Sequence, residues 1–168
     1  MARARGRARV WSELRQEMLS SPARSVGTLY RGFQAAANQG YAARGWTGVS
    51  LSHVQFLSEL EAEGTRLSDV AAALKTTKQY AGKLARDVAS KKLATLSPDP
   101  LDARAVLAKP TERGRAFLQD ACEVRAELES ALLGRLSPSR SAAFLAALDD
   151  LVAAMGALEE ARAAPASR

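Results

Sequence analysis

The run Thr76-Thr77-Lys78-Gln79-Tyr80-Ala81-Gly82-Lys83-Leu84-Ala85-Arg86-Asp87-Val88 constrains the fold more than any other part of this chain. Wound as a helix, it stacks Thr77, Ala81, Leu84 and Val88 on one narrow apolar face, the i, i+4, i+7, i+11 spacing of a buried stripe. Lys78, Gln79, Tyr80, Lys83 and Arg86 are left pointing elsewhere, with Asp87 the single acid among them. Thr76 followed three residues later by Gln79 forms a capping-box pattern, which writes in a helix start. The outer face carries cations, an amide and a phenol, the mix that lies against a phosphate backbone and reaches base edges. A merely solvated helix face is the plain alternative, and the flanking sequence bears on the choice.

Before this run, Leu51-Ser52-His53-Val54-Gln55 starts a helix, with Ser52 and Gln55 as a second capping box, and Val54 and Leu57 carry it towards Gly64. Thr65-Arg66-Leu67 reads as a short extended piece. Ser68 is placed to cap the next helix, in which Val70, Ala71 and Leu74 point inward. Lys75-Thr76 makes a tight connection, so two short helices meet at a turn and form a helix-turn-helix. After the run, Lys91 to Leu96 reads as a strand, Ser97 to Asp102 as a turn, and Ala103 to Lys109 as the returning strand. A hairpin directly behind a helix-turn-helix is a wing, and Arg104 at its tip suits a narrow, electronegative minor groove.

The ends of the chain have another character. Residues 1–9 alternate Arg with Ala or Gly, have no apolar face and are expected to be disordered alone, either tracking DNA or simply solvated. Val10 to Leu19 forms a short helix with Trp11, Leu14 and Met18 on one side. Ser20-Ser21-Pro22 opens a longer helix to about Ala43. Most of the few aromatics gather here, at Trp11, Tyr30, Phe33, Tyr41 and Trp46. The cluster reads either as a small-molecule pocket, formed by Tyr30, Phe33, Tyr41 and Trp46 with His53 and Phe56, or as packing of a dimer arm. Downstream, Thr111 opens a long helix to about Leu133, where Phe117, Ala121, Val124, Leu128 and Ala131 form a coiled-coil-like seam. Ser137-Pro138 starts a last helix whose Phe144 or Leu145, Leu148, Leu151 or Val152, Met155 and Leu158 keep one face. This pair cannot bury its stripe on itself, so a second copy of the chain is the expected cover. From Arg162 on there is no periodicity.

Charge follows the same division. Residues 1–50 hold eight Lys/Arg against two acids, residues 51–115 eleven against eight, and residues 116–168 five against eight. A basic front and acidic rear fit a protein that docks an anion on one side. Cys122 is the only cysteine, so no internal disulfide is possible, and its setting beside Asp120 and Glu123 favours packing over redox chemistry. One His and one Cys do not make a metal cluster. No nucleophile–base constellation or phosphate loop stands in the sequence, so no catalytic residue, metal or cofactor is expected. No apolar run follows the basic N-terminus and none approaches a membrane span, which leaves a soluble cytoplasmic protein as the default.

The order of elements resembles the MarR family of winged helix-turn-helix regulators. The resemblance is carried by Ser52-His53-Val54-Gln55, Leu67-Ser68-Asp69-Val70-Ala71, Thr77-Lys78-Gln79, Ser97-Pro98-Asp99-Pro100-Leu101-Asp102-Ala103-Arg104 and Pro110-Thr111-Glu112-Arg113-Gly114-Arg115. It covers roughly residues 24 to 158, and its most specific part is the Asp-Pro-x-Asp-x-Arg wing followed by Thr-x-x-Gly-Arg. It implies a mainly α fold with a small β-hairpin wing, in which a winged domain (49–113) is carried by dimerisation helices (10–48 and 114–162) between a basic arm (1–9) and a tail (163–168). It implies a homodimer on a pseudo-palindromic operator, with Thr76, Thr77, Lys78, Gln79, Tyr80 and Lys83 towards the major groove and Arg104 in the minor groove, and Arg86 on the same helix is a further DNA-binding candidate. Asp99 and Asp102 would brace the wing, and in many members a small aromatic effector modulates binding. The implied function is a transcriptional regulator, more often a repressor. A small-molecule-binding or catalytic protein on the same scaffold is the alternative. The wing departs from the pattern: Leu96 and Ser97 replace frequent Arg residues, Val106 a common Lys, and Pro110 the apolar residue before Thr111.

Overall fold

The computed structural model describes residues 9–163, so the expectations for the arm at 1–8 and the tail at 164–168 fall outside the described residues. The described residues form seven helices and three strands: α1 Trp11–Ser20, α2 Pro22–Ala43, α3 Leu51–Ser58, β1 Thr65–Arg66, α4 Leu67–Ala73, α5 Lys78–Ser90, β2 Ala94–Asp99, β3 Asp102–Pro110, α6 Glu112–Leu133 and α7 Pro138–Ala163. Internal contacts divide the chain into a unit up to Arg125 and a unit from Ala126 onward.

The first unit is built around α5. Its buried residues are Ala81, Leu84, Ala85 and Val88, an i, i+3, i+4, i+7 stripe that packs towards α3, α4 and β2. The stripe differs from the expected one at both ends of the argument: Ala85 belongs to it, and Thr77 does not. Thr77 is the N-cap, its hydroxyl accepting from the Tyr80 amide at 3.1 Å, so the helix starts one residue later than the Thr76/Gln79 pattern placed it, with a single cap bond in place of a box. Lys75, at φ 49°, takes the left-handed conformation that lets α4 turn directly into α5.

Two other helix starts are corrected. The α3 N-cap is Ser50, not Ser52. The His53 Nδ1 accepts the Ser50 amide at 3.0 Å and lies 2.8 Å from its hydroxyl, so a buried imidazole fills the place expected of Gln55. Ser68 lies within α4, whose N-cap is Arg66, and its hydroxyl donates to Asp69. In addition, α3 stops at Ser58, short of Gly64.

The strands form an antiparallel sheet in the order β1-β3-β2. Thr65 pairs with Ala108, and the wing runs from Ala94↔Pro110 to Asp99↔Asp102 with an irregularity at Pro98/Asp99. The first strand keeps the expected six residues but starts at Ala94 rather than Lys91 and runs on through Ser97 to Asp99, so the turn shrinks to a tip at Pro100-Leu101. Arg104 stands within β3 rather than at the tip.

Thr111 anchors the base of the wing to α6. Its hydroxyl donates to the Lys92 carbonyl at 2.7 Å and accepts from the Gly114 amide at 3.0 Å, while its own amide donates to the Leu93 carbonyl at 3.0 Å. A Cβ on Gly114 would sit 1.9 Å from that same carbonyl oxygen, so Thr-x-x-Gly here is a steric requirement. Gly40 plays the corresponding part between α2 and α6, since a Cβ there would meet Val124 at 2.7 Å. The α6 seam is buried at Phe117, Ala121 and Val124, half-buried at Leu128 and exposed at Ala131.

In the second unit the end of α6 turns at Gly134 into α7, and Ser141 Oγ donates to the Leu133 carbonyl at 3.0 Å. Every large apolar residue expected on the α7 face is exposed, from Phe144 at 41% to Leu151 at 67%. The expectation that nothing approaches a membrane span is corrected here. The segment Pro138–Arg162 is long and apolar enough to cross a bilayer by length and composition, with a mean hydropathy of 1.6. Asp149 and Asp150 nevertheless stand at its midpoint, where each carboxylate would cost roughly 2.5–3.5 kcal/mol in hydrocarbon. A wet or protein-covered face suits this helix better.

Candidate nucleic-acid interface

The outer face of α5 follows from its inner one. With Ala81, Leu84, Ala85 and Val88 inward, Thr77, Lys78, Gln79, Tyr80, Lys83 and Arg86 are all exposed, and Thr76 is half-buried in the turn. Thr77, Gln79, Tyr80, Lys83 and Arg86 line one shallow, open depression. Lys78, Lys83 and Arg86 form no ion pair among the described residues. Three unneutralised cations with an amide, a phenol and a hydroxyl between them can neutralise phosphates and offer donors to acceptor edges. Gly82 has only the end of the Arg86 side chain near its missing Cβ, at 3.7 Å, so no packing demand explains it.

The acid on this helix has a different task. Asp87 Oδ2 accepts from His53 Nε2 at 2.9 Å and its Oδ1 from Lys91 Nζ at 2.7 Å. Lys91, first of all, and then His53 hold its carboxyl below the usual carboxylate range. His53 is 5% exposed, and burial pushes its imidazole below the ordinary histidine value against the opposing pull of Asp87. Ser50, His53 and Asp87 therefore form a connected line that the sequence, with its lone histidine, did not suggest. His53 Nδ1, 2.8 Å from the Ser50 hydroxyl, also accepts the Ser50 amide, and that hydroxyl caps α3, so both side chains are engaged in closing the helix start. The line fastens α5 to the start of α3.

The wing is braced by the two expected carboxylates, though not as expected. Asp99 is 5% exposed and accepts from Leu101 N at 2.8 Å and from Arg66 Nε at 2.7 Å. The backbone donor first, and Arg66 second, hold its carboxyl below the usual range. Asp102 accepts the backbone amide of Arg104 at 3.0 Å rather than its guanidinium. The Arg104 side chain is exposed and forms no ion pair among the described residues. Arg66 was absent from the sequence-based candidates; only its sheet pairing beside the wing reveals it.

Neither the α5 depression nor the groove lined by Leu57, Leu60, Pro110 and Leu118 takes in any of the six proposed pocket residues. Tyr41 and Phe56 are core, at 2% and 0% exposure, and His53 is the cap just described. Burial raises the Tyr41 phenol above its ordinary pKa. Trp46 is half-buried, tilted on Phe117 at 5.1 Å, under the Arg113 guanidinium at 4.8 Å, and its Nε1 donates to Asp120 Oδ2 at 2.5 Å. Tyr41 meets Phe117 edge-on at 5.4 Å, which makes Phe117 the centre of the cluster. Phe33 is half-buried and Tyr30 is 48% exposed on α2. Cys122, expected to be packed, is exposed.

No protein-family model matches the sequence, and no curated protein matches it. Solved structures do. Wild-type MarR from E. coli in its apo form superposes with a TM-score of 0.66 at 16% identity, over 78% of this chain and 96% of that one. The S. aureus MepR–DNA complex gives 0.68 at 19%, over 80% and 98%. Bordetella bronchiseptica BpsR, whose DNA binding is regulated by 6-hydroxynicotinic acid, gives 0.65 at 20%, over 79% and 94%. The chain has the MarR winged-helix fold. At these identities the likeness concerns architecture, and it matches the expected mainly α fold with a small β wing.

Proposed function

We propose that this chain is a homodimeric, sequence-specific DNA-binding transcriptional regulator of the MarR type, acting as a repressor by occupying promoter DNA. The observation that carries the reading is the outer face of α5, where Lys78, Lys83 and Arg86 stand exposed and without ion pairs among the described residues. The S. aureus neighbour with this fold was solved on DNA, which supports the same use of the face. In this reading Thr76 to Tyr80, Lys83 and Arg86 meet the major groove and Arg104 the minor groove. The exposed faces of α1 (Trp11, Met18), α2 (Val26, Leu29) and α7 (Leu151, Met155) support pairing with a second copy, which would set two recognition helices about one DNA turn apart.

A small aromatic effector belongs to the proposal by way of BpsR. The apolar groove lined by Leu57, Leu60, Pro110 and Leu118 with Arg115 at its rim holds about 190 Å³. Ligand pockets usually hold roughly 300–1,000 Å³, so an effector would need a further wall from the second copy. Selection of bound sequences from a random duplex pool tests the proposal. An inverted repeat with half-sites about 10 bp apart is expected, with affinity falling steeply as salt rises. Recovery of no common sequence would reject it. A catalytic protein on this scaffold is not favoured, since the Ser50–His53–Asp87 line is spent on capping.

A further inference from the structure

The tip of the wing presents an apolar side chain where a cation would serve phosphate binding. Leu101 is 89% exposed, the most exposed of the large hydrophobic residues described. Pro98 and Pro100 beside it are exposed as well, and Val106, cross-strand partner of Pro98, is 39% exposed. Arg104 is the one cation in the hairpin between Ala94 and Ala108.

This tip is held rather than loose. The buried Asp99 carboxylate ties the Leu101 amide, at 2.8 Å, to Arg66 in β1, at 2.7 Å. Asp102 fixes the Arg104 amide at 3.0 Å on the returning strand. Two prolines restrict the backbone around it further. A half-buried ion pair and two side-chain-to-backbone bonds hold one leucine out to solvent, a placement that suits a partner. The neighbouring Arg104, without an ion pair among the described residues, gives that partner's sign as negative. A narrow groove walled by sugars, floored by base edges and flanked by phosphates meets both demands, because apolar wedges enter base steps from the minor groove while arginine is drawn to its potential.

We propose that Leu101 is a minor-groove wedge: it inserts at a base step beside the Arg104 contact and bends the duplex, adding affinity that salt does not screen. The inference rests on the DNA-binding reading above. Its test uses a duplex recovered by the full chain from a random pool, carrying a fluorescent pair at its ends, titrated at several salt concentrations. Leu101→Ala is expected to weaken binding roughly tenfold or more, the scale of one buried leucine side chain. The dependence of log affinity on log salt should stay unchanged, and the ends of the bound duplex should move apart as it straightens. Arg104→Ala should instead flatten the salt dependence by about one phosphate contact. Leu101→Lys should steepen it without restoring the bend. At 89% exposure neither change at Leu101 should move the melting temperature, which excludes misfolding as the cause. A Leu101→Ala chain that binds and bends DNA as the parent does overturns the wedge and assigns the tip to some other partner, with the DNA reading intact. So does a loss accompanied by an altered salt dependence, which would mean that Leu101 only positions Arg104. If the parent binds no duplex at low salt, the DNA reading itself falls, and the wedge with it.

Discussion

Helices α5 and α7 both carry an apolar stripe at helical spacing, yet they end in opposite conditions. Ala81, Ala85 and Val88 of α5 are wholly buried, whereas Leu151, Val152 and Met155 of α7 are each more than half exposed. The first stripe is closed by α3, α4 and β2, which the same chain supplies within a few turns of sequence. The second finds no such cover among the described residues. Hydrophobic burial is indifferent to which chain provides the partner atoms, so an uncovered stripe of this length is where the proposed second copy would supply them. The winged unit should behave as a self-sufficient fold and the α7 face as an association surface.

That contrast can be broken at either end. Phe117 is 0% exposed between Tyr41 and Trp46, so Phe117→Ala should cost about 3–5 kcal/mol in chemical denaturation at any protein concentration. A loss below about 1 kcal/mol would mean that the aromatic cluster is not a core. Leu151→Ala on α7 should act only through association: dimer dissociation measured by sedimentation rises about tenfold, near 1.4 kcal/mol. Equal sedimentation of parent and variant across concentrations would remove Leu151 from the surface.

A smaller effect tests the link between α3 and α5. The His53 pKa is lower folded than unfolded, so between that lowered value and about 6.5 the unfolded chain holds the extra proton. Stability is therefore expected to fall as pH drops through this window and to be fully lost from this source below it. Asp87, also lowered, adds a loss in the same direction at more acid pH. His53→Gln keeps a capping-box residue at N3 but removes the titrating link to Asp87. It should cost about 1 kcal/mol at neutral pH and flatten the urea-midpoint profile as pH falls below about 6.5. A slope unchanged from the parent would place the acid sensitivity elsewhere. Smallest of all, Gly82→Ala should raise stability by roughly 0.5–1 kcal/mol, since its Cβ meets only the flexible end of Arg86. If DNA lies close to this turn of α5, the same change will weaken binding while the fold gains.

The sequence carried the order of elements because that order rests on local signals: helical spacing in α5 and α6, proline at the start of α2 and α7, and Pro-Asp-Pro at the wing. It misplaced caps where two neighbours qualify equally, as with Thr76 and Thr77 or Ser50 and Ser52. Tertiary contacts made those choices, most plainly His53, whose imidazole reaches back to Ser50 and forward to Asp87. Long-range partners left no local trace, so Arg66 was invisible until β1 paired with β3. The six aromatic and histidine positions proposed as a pocket illustrate the converse: clustering in sequence placed Tyr41 in contact with Phe117, a residue from outside the cluster. The outer face of α5, by contrast, was readable in advance, because exposure of Lys78, Lys83 and Arg86 is the necessary complement of the buried stripe.

Sedimentation of the full chain with a duplex chosen by the chain itself from a random pool tests the whole account most directly. Two chains on one duplex, dissociating together as salt is raised, is the predicted species. A single chain on the duplex, or free chain and free duplex side by side in dilute buffer, would contradict it.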